Sequence, residues 1–487
     1  MYRPSDPQRV LFDAGGLLPP GKQERCKKTW AEAFRLHALP ILRKVEDEFA
    51  DLFEEGLGRP NRPVELVLGT LILKDMSDLT DDEALEHLDF DALWWWAFQR
   101  EPHELQLCQK TLHNFRTGLI REEKSGLAFR RVTDDLAKAL KVAPGQQRLD
   151  STHILSNIAL LTRLGLFCET IRLFLKDLKE ADPKAYGELP AALLERHGEE
   201  SRYADARKEQ RPRRLEVVAR DVGRLIAIFQ KNPAVKKTQG WSLLERIFKD
   251  QCKVSSEPKK PQQDDDDHGD GEVAVELKLP TEIASDSLQS PHDPDVTYSG
   301  HKGKGYAAQI METCSPHNQV KLITAVALTP ACVSDAKATV PMVQQAVEAG
   351  HAPKEVVADT AYSGAKNAAD LAKEGVNLLA PAPPTAKPQE GQTYPEPQAQ
   401  CPKSFLKSGA WLRCQEAAAG FQERYAIRSG IEATNSELKR KHGLGRLRVR
   451  GGKRVALALY FKALACNVKR ALKAWLAMAA EGALTPA

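Results

Sequence analysis

Four polar side chains near the C-terminus, Tyr425, Arg428, Glu432 and Lys439, are spaced so that the last three follow the first by three, seven and fourteen residues. At about 100° per residue these offsets fall on one face of an α-helix. A phenol, a guanidinium, a carboxylate and an ammonium are therefore expected in one stripe. Upstream, two aspartates stand where strands are expected to end: Asp150 in Arg148-Leu149-Asp150-Ser151-Thr152, and Asp359 in Val356-Val357-Ala358-Asp359-Thr360. Two strand-end aspartates and a helix glutamate are hard oxygen donors of the kind Mg2+ takes, with water and substrate phosphate completing its shell. Two such ions, about 3.5–4 Å apart, can activate an oxygen nucleophile and relieve charge on a leaving oxygen. That is the requirement of phosphodiester cleavage. Asp150, on the more central strand, is expected to be the shared ligand.

The surroundings carry the charge that a polyphosphate needs. Between Arg424 and Lys473 there are 14 Lys and Arg against only Glu432 and Glu437, although the whole chain has a net charge of just +4. Arg446, Arg448, Arg450, Lys453 and Arg454 interleave with Gly443, Gly445, Gly451 and Gly452. Glycines let a backbone approach a phosphate closely, and the basic side chains supply charge. Earlier, Lys110, Thr111, His113, Asn114 and Arg116 surround Leu112 and Phe115. These are side chains that reach phosphates and base edges. The segment reads either as the recognition helix of a helix-turn-helix-like unit or as an ordinary amphipathic surface helix.

The elements that must position these groups follow from periodicity. Residues 1–140 read as an all-helical domain, with a proline start at Pro63, a capping box at Thr80-Asp81-Asp82-Glu83 and a packing cluster at Trp94, Trp95 and Trp96. A strand at 147–154 carries Asp150. From 158 to 252, two heptad-like runs (Leu161 to Leu178 and Leu215 to Phe229) predict an antiparallel helical hairpin. The polar stretch 253–284, with Asp264–Asp267, reads as a flexible acidic linker rather than a metal site. Strands near 306–311, 320–328, 356–359 and 376–380, helices near 336–349 and 365–374, and a Pro-rich insert at 381–403 complete an α/β pattern. The catalytic core is expected from 141–157 and 285–475, as a mixed sheet flanked by helices.

Composition narrows the class. A chain of 487 residues exceeds one ordinary core. No apolar run reaches the roughly 18 residues that span a bilayer, and the first residues lack the order of a signal peptide. Nine scattered cysteines point to reduced thiols in a cytoplasm.

The residues quoted carry a resemblance. Tyr425-x2-Arg428-x3-Glu432-x6-Lys439, Ala358-Asp359-Thr360-Ala361-Tyr362, the segment from Ser290 to Tyr298 and the helical region before Asp150 are similar to those of bacterial insertion-sequence DDE transposases of the YREK-signature group. The resemblance implies an RNase H-like core, with Asp150, Asp359 and Glu432 as ligands of two Mg2+ ions (Mn2+ able to substitute). Tyr425, Arg428 and Lys439 would contact the DNA backbone near the cut. It also implies double-stranded DNA as partner, both terminal inverted repeats and target, and a homodimer or larger assembly in a nucleoid-associated cytoplasmic setting. Two alternatives stay open: a metal-dependent nuclease without strand transfer, and a non-catalytic DNA-binding regulator. The long block after Asp150 departs from the simplest pattern of the group. Cys401 and Cys414 lack the CxxC pairing of a zinc site.

Overall fold

The structure, a computed structural model, describes residues 2–4, 18–54, 60–254, 275–384, 387–395 and 410–481. The aspartate run at 264–267 and Cys401 lie outside them. Among the described residues there are eight strands: β1 (Gln146–Ile154), β2 (Cys252–Val254), β3 (Val275–Leu277), β4 (Thr297–Ser299), β5 (Gly303–Thr313), β6 (Ile323–Pro330), β7 (Glu355–Ala358) and β8 (Asn377–Leu379). The main sheet runs β6-β5-β1-β7-β8, and β4 adds to the far end of β5. β5 is antiparallel to both β1 and β6, whereas β1, β7 and β8 are parallel. A first strand in the centre, antiparallel partners on one side, parallel partners on the other and helices on both faces make this an RNase H-like fold.

Alternation along the strands builds two apolar layers. Leu149, Met311, Val356 and Ala358 pack against Met342, Val343 and Ala346 of the helix Thr339–Glu348. On the opposite face Ile154, Ala308, Ile310 and Val326 join a larger cluster. That cluster holds Leu66 and Ile72 of the helix Val64–Met76, Leu112 and Phe115 of the helix Gln109–Arg121, and Leu457 and Leu464 of the terminal helix Gly452–Ala480. The N-terminal helices thus share a core with the sheet, and the terminal helix is the element between them. Its Asn467, fully buried, donates to the Ile323 carbonyl and accepts from the Ile323 amide, both at 2.8 Å, so it completes the free start of β6.

The block after β1 has its own core. Helices Arg163–Ala181, Arg211–Phe229 and Gln239–Gln251 enclose Phe167, Phe174, Val222, Trp241 and Leu244. The expected two-helix hairpin is therefore corrected to three long helices. The third starts at Thr238, whose hydroxyl accepts from the Trp241 amide, and it lies so close to the first that a Cβ on Gly240 would meet Phe174 Cα at 2.7 Å. Within the stretch expected as a linker, 253–284, β2 and β3 form an antiparallel two-stranded sheet.

Candidate active site

Register brings the two aspartates together. β7 runs parallel to β1 only as far as Leu149 opposite Ala358. Asp150 is the next residue of β1 and Asp359 the first after β7, so they stand side by side where that ladder stops. Asp150 is not at a strand end, as expected, but at the fifth of nine positions of β1. The strand continues because its other neighbour, β5, pairs with it as far as Ile154 opposite Tyr306.

The signature stretch is not one helix. A short helix, Phe421–Tyr425, gives way to a 3-10 turn, Ala426–Ser429, and a new helix begins, Gly430–Lys441. At the turn the buried Arg148 of β1 donates from Nη1 to the Ile427 carbonyl at 2.7 Å, an oxygen that also accepts the Gly430 amide in the 3-10 pattern. Gly430 leaves room for this contact, since a Cβ there would lie 1.9 Å from Arg148 Nη1. Gly430→Ala is expected to lower stability by about 1–3 kcal/mol, as overpacking does, and to displace the helix that follows. Thermal unfolding of the purified variant would test this; an unchanged midpoint would refute it.

The turn aims Arg428 into the carboxylates. Its Nη2 is 3.4 Å from Asp150 Oδ1 and 3.6 Å from Asp359 Oδ2, while Nη1 is 3.0 Å from Glu432 Oε1. The three carboxylates named from sequence therefore converge on one guanidinium. Asp150 is nearly buried, with 12% of its side chain exposed, whereas Glu432 at 66% is open to solvent. Burial pushes the Asp150 carboxyl above its usual range, against the pull of Arg428. Burial also acts against the Arg428 charge, but Asp150 and Asp359 outweigh it and hold that group above its ordinary value. Asn435, one turn beyond Glu432, donates to Asp150 Oδ2 at 3.1 Å.

A buried ionic network missed in the sequence fixes the Gly430–Lys441 helix against the sheet. Glu312 of β5, with no exposed surface, accepts from Arg148 Nε at 2.7 Å, Arg470 Nη1 at 3.0 Å and the Thr434 hydroxyl at 2.8 Å. Arg470, on the terminal helix, also binds Glu437 at 2.9 Å. Two strands and two helices thus meet at one carboxylate.

Cations line the approach. Lys302, at the tip between β4 and β5, donates to the Ser151 hydroxyl at 3.1 Å and lies 3.8 Å from Asp335. Burial lowers the Lys439 ammonium, and Lys302 nearby lowers it further. Sequence reasoning missed Lys302, although Gly300-His301-Lys302-Gly303-Lys304-Gly305 carries the same Gly-rich basic signal as 443–454. Tyr425 stacks on Phe421 with ring centroids 5.4 Å apart.

The basic loop after Lys439 runs beside the continuation of β1. Leu447 donates to the Leu155 carbonyl at 2.8 Å, and Asn157 to the Val449 carbonyl at 2.8 Å. Arg446, Arg448, Arg450, Lys453 and Arg454 are all exposed. Arg448, Arg450 and Arg454 line a cavity of about 670 Å3 whose opposite wall includes His113, Arg116 and Thr117 of the helix Gln109–Arg121. Two of these cations have partners: Arg448 binds Asp78 at 2.8 Å, and Arg116 holds both oxygens of Asp81. Lys110 and Asn114 are exposed on the same helix, outside the cavity lining.

Residues 281–468 match the model of a family described as a transposase DDE domain. The match covers under half of the chain; it takes in Asp359 and Glu432 but not Asp150. It supports a relation to DDE transposases. No curated protein and no solved structure shows significant similarity to the chain. Among the described residues, no helix is long and apolar enough to cross a membrane.

Proposed function

We propose that this chain is a DDE-type DNA transposase that cuts the ends of its own element and joins them to target DNA. The observation that carries the reading is the convergence of Asp150, Asp359 and Glu432 on Arg428. The donor set is all carboxylate oxygen, which suits Mg2+ or Mn2+, and a guanidinium already stands among them as a cation. The residues therefore fit a divalent-ion site. Asp150, Asp359 and Glu432 would hold the ions, which supply water activation and charge relief at the leaving oxygen. Arg428 exchanges its carboxylate partners for a backbone phosphate as substrate enters. Tyr425 lies within electrostatic reach of Arg428, Asp150 and Asp359, and Lys439 stands near Lys302. The freed 3′-OH then attacks target DNA in the same site. Two ends must be cut together, so a dimer or larger assembly forms on DNA.

Binding of the terminal repeats is assigned to the cavity between the helix Gln109–Arg121 and the basic loop, with Lys110, Asn114, Arg446 and Lys453 at its margins. Lys302 is a further phosphate contact beside the cut, opposite Lys439. Lys302→Ala is expected to weaken DNA binding at all sequences alike and to reduce the slope of log affinity against log salt by about one. An unchanged slope would remove Lys302 from the contact surface.

The reading is tested by excision of a marker flanked by the element's own ends. Excision by the wild type but not by Glu432→Gln is expected. Equal excision by both would overturn the role of Glu432. Cut ends that never join target DNA would reduce the activity to that of a nuclease.

A further inference from the structure

We propose that Glu437, His442 and Cys466 form a metal site of zinc-type chemistry, distinct from the Asp150–Asp359–Glu432 cluster. A carboxylate oxygen, an imidazole nitrogen and a sulfur from these residues all lie within 4.8 Å of one another. Oxygen, nitrogen and sulfur together are a donor set for Zn2+, whose ligands are Cys, His and carboxylate, and not for Mg2+, which takes oxygen.

The histidine supplies the independent sign. His442 has no exposed surface. Its Nδ1 lies 2.9 Å from the Asp75 carbonyl, so the neutral ring carries its proton there. Nε2 is then a bare acceptor, and it has no hydrogen-bond partner. An imidazole with one nitrogen tied to a backbone carbonyl and the other unpartnered is the arrangement of metal-bound histidines. Glu437 is also partly committed: Arg470 holds Oε2 through Nε at 3.1 Å and Nη2 at 2.9 Å, and the Cys466 thiol is in hydrogen-bond contact with the carboxylate, a contact that a shared ion would replace. Cys466 is fully buried on the terminal helix.

Charge decides which ion can enter. Arg470 stands beside the site and repels a cation. A carboxylate and a thiolate together balance a dication, so binding must expel the thiol proton: Cys466–SH and Zn2+ give the zinc thiolate and H+. Because a proton leaves as the ion binds, affinity rises with pH. The ligands come from the Gly430–Lys441 helix, the residue after it and the Gly452–Ala480 helix. A bound ion would clamp the helix that carries Glu432 and Lys439 to the terminal helix.

Cobalt reports this site separately from the carboxylate cluster, because only a thiolate ligand produces a sulfur-to-cobalt charge-transfer band. Full-length protein stripped with a chelator would be titrated with Co2+ and then Zn2+. We expect one such band in the wild type and in Glu432→Gln, bleached by Zn2+, and its loss in Cys466→Ala and in His442→Gln. Zn2+ should also raise the melting temperature of the wild type but not of Cys466→Ala. No band in the wild type, or a band that persists in Cys466→Ala, would overturn the site.

Discussion

Asp150→Asn is expected to lower DNA cleavage by roughly 1,000-fold or more while leaving DNA affinity nearly unchanged. On the proposed function the loss is large because one metal-binding carboxylate would be removed from a set that works as a unit, and such residues lose most of the activity singly. Affinity is spared because the proposed phosphate contacts, Lys302, Lys439 and the loop 446–454, keep their charges when Asp150 is neutralised. Asn keeps the shape: its one oxygen can accept from the Ser151 amide as Oδ1 does now, and its NH2, which can only donate, would face Asn435, whose own side-chain oxygen has no partner. Stability should not fall. Burial already works against the charged form of Asp150, so a neutral side chain removes a desolvation penalty along with one partner of Arg428. Single-turnover cleavage of an end-labelled duplex, read with a thermal melt of the same protein, checks both halves. Cleavage at near wild-type rate would sink the carboxylate assignment. Lost cleavage with a collapsed melting temperature would mean that Asp150 holds the fold.

Much of the candidate site's geometry was legible because its parts are local signals. Asp150, Asp359 and Glu432 each sit in a short motif, and the sheet needs only alternating apolar runs to place the first two. The helices near 336–349 and 365–374 and the strand near 376–380 were legible for the same reason. What escaped depends on partners distant in sequence. Nothing near Tyr425 announces that the helix breaks before Gly430, where Arg148, on another element, reaches the Ile427 carbonyl. The full length of β1 depends on β5, so Asp150 was misread as a strand end. The third helix of the inserted block was within reach: Thr238 is a capping residue, and Trp241, Leu244 and Ile247 keep helical spacing. Lys302 could have been found by applying the Gly-rich basic criterion to residues 300–305.

The largest effect on stability is expected from Glu312→Gln. Glu312 is the one anion between Arg148 and Arg470, and it is wholly buried. The substitution keeps the volume and removes the charge. Two guanidinium groups then face a neutral amide, one half of which is itself a donor. Breaking a buried ion pair from one side costs about 3–5 kcal/mol, because the remaining charge stays desolvated and unpaired. Against a typical total of about 5–15 kcal/mol for a folded domain, that loss should be visible as a large fall in the urea midpoint. Cleavage should fall as well, since Thr434 and the Gly430–Lys441 helix are anchored on the same carboxylate. Glu437→Gln is the control: Glu437 also binds Arg470, but 26% of its side chain is exposed, and its loss should cost much less. A second control separates lost pairing from lost shape. In Arg148→Met with Glu312→Leu the strand pair carries no charge, and buried pairs replaced by apolar groups often recover stability. If Glu312→Gln shifts stability by less than about 1 kcal/mol, the network is decoration. In that case the Gly430–Lys441 helix owes its position to the apolar contacts of Ile431 and Leu438 alone, both fully buried.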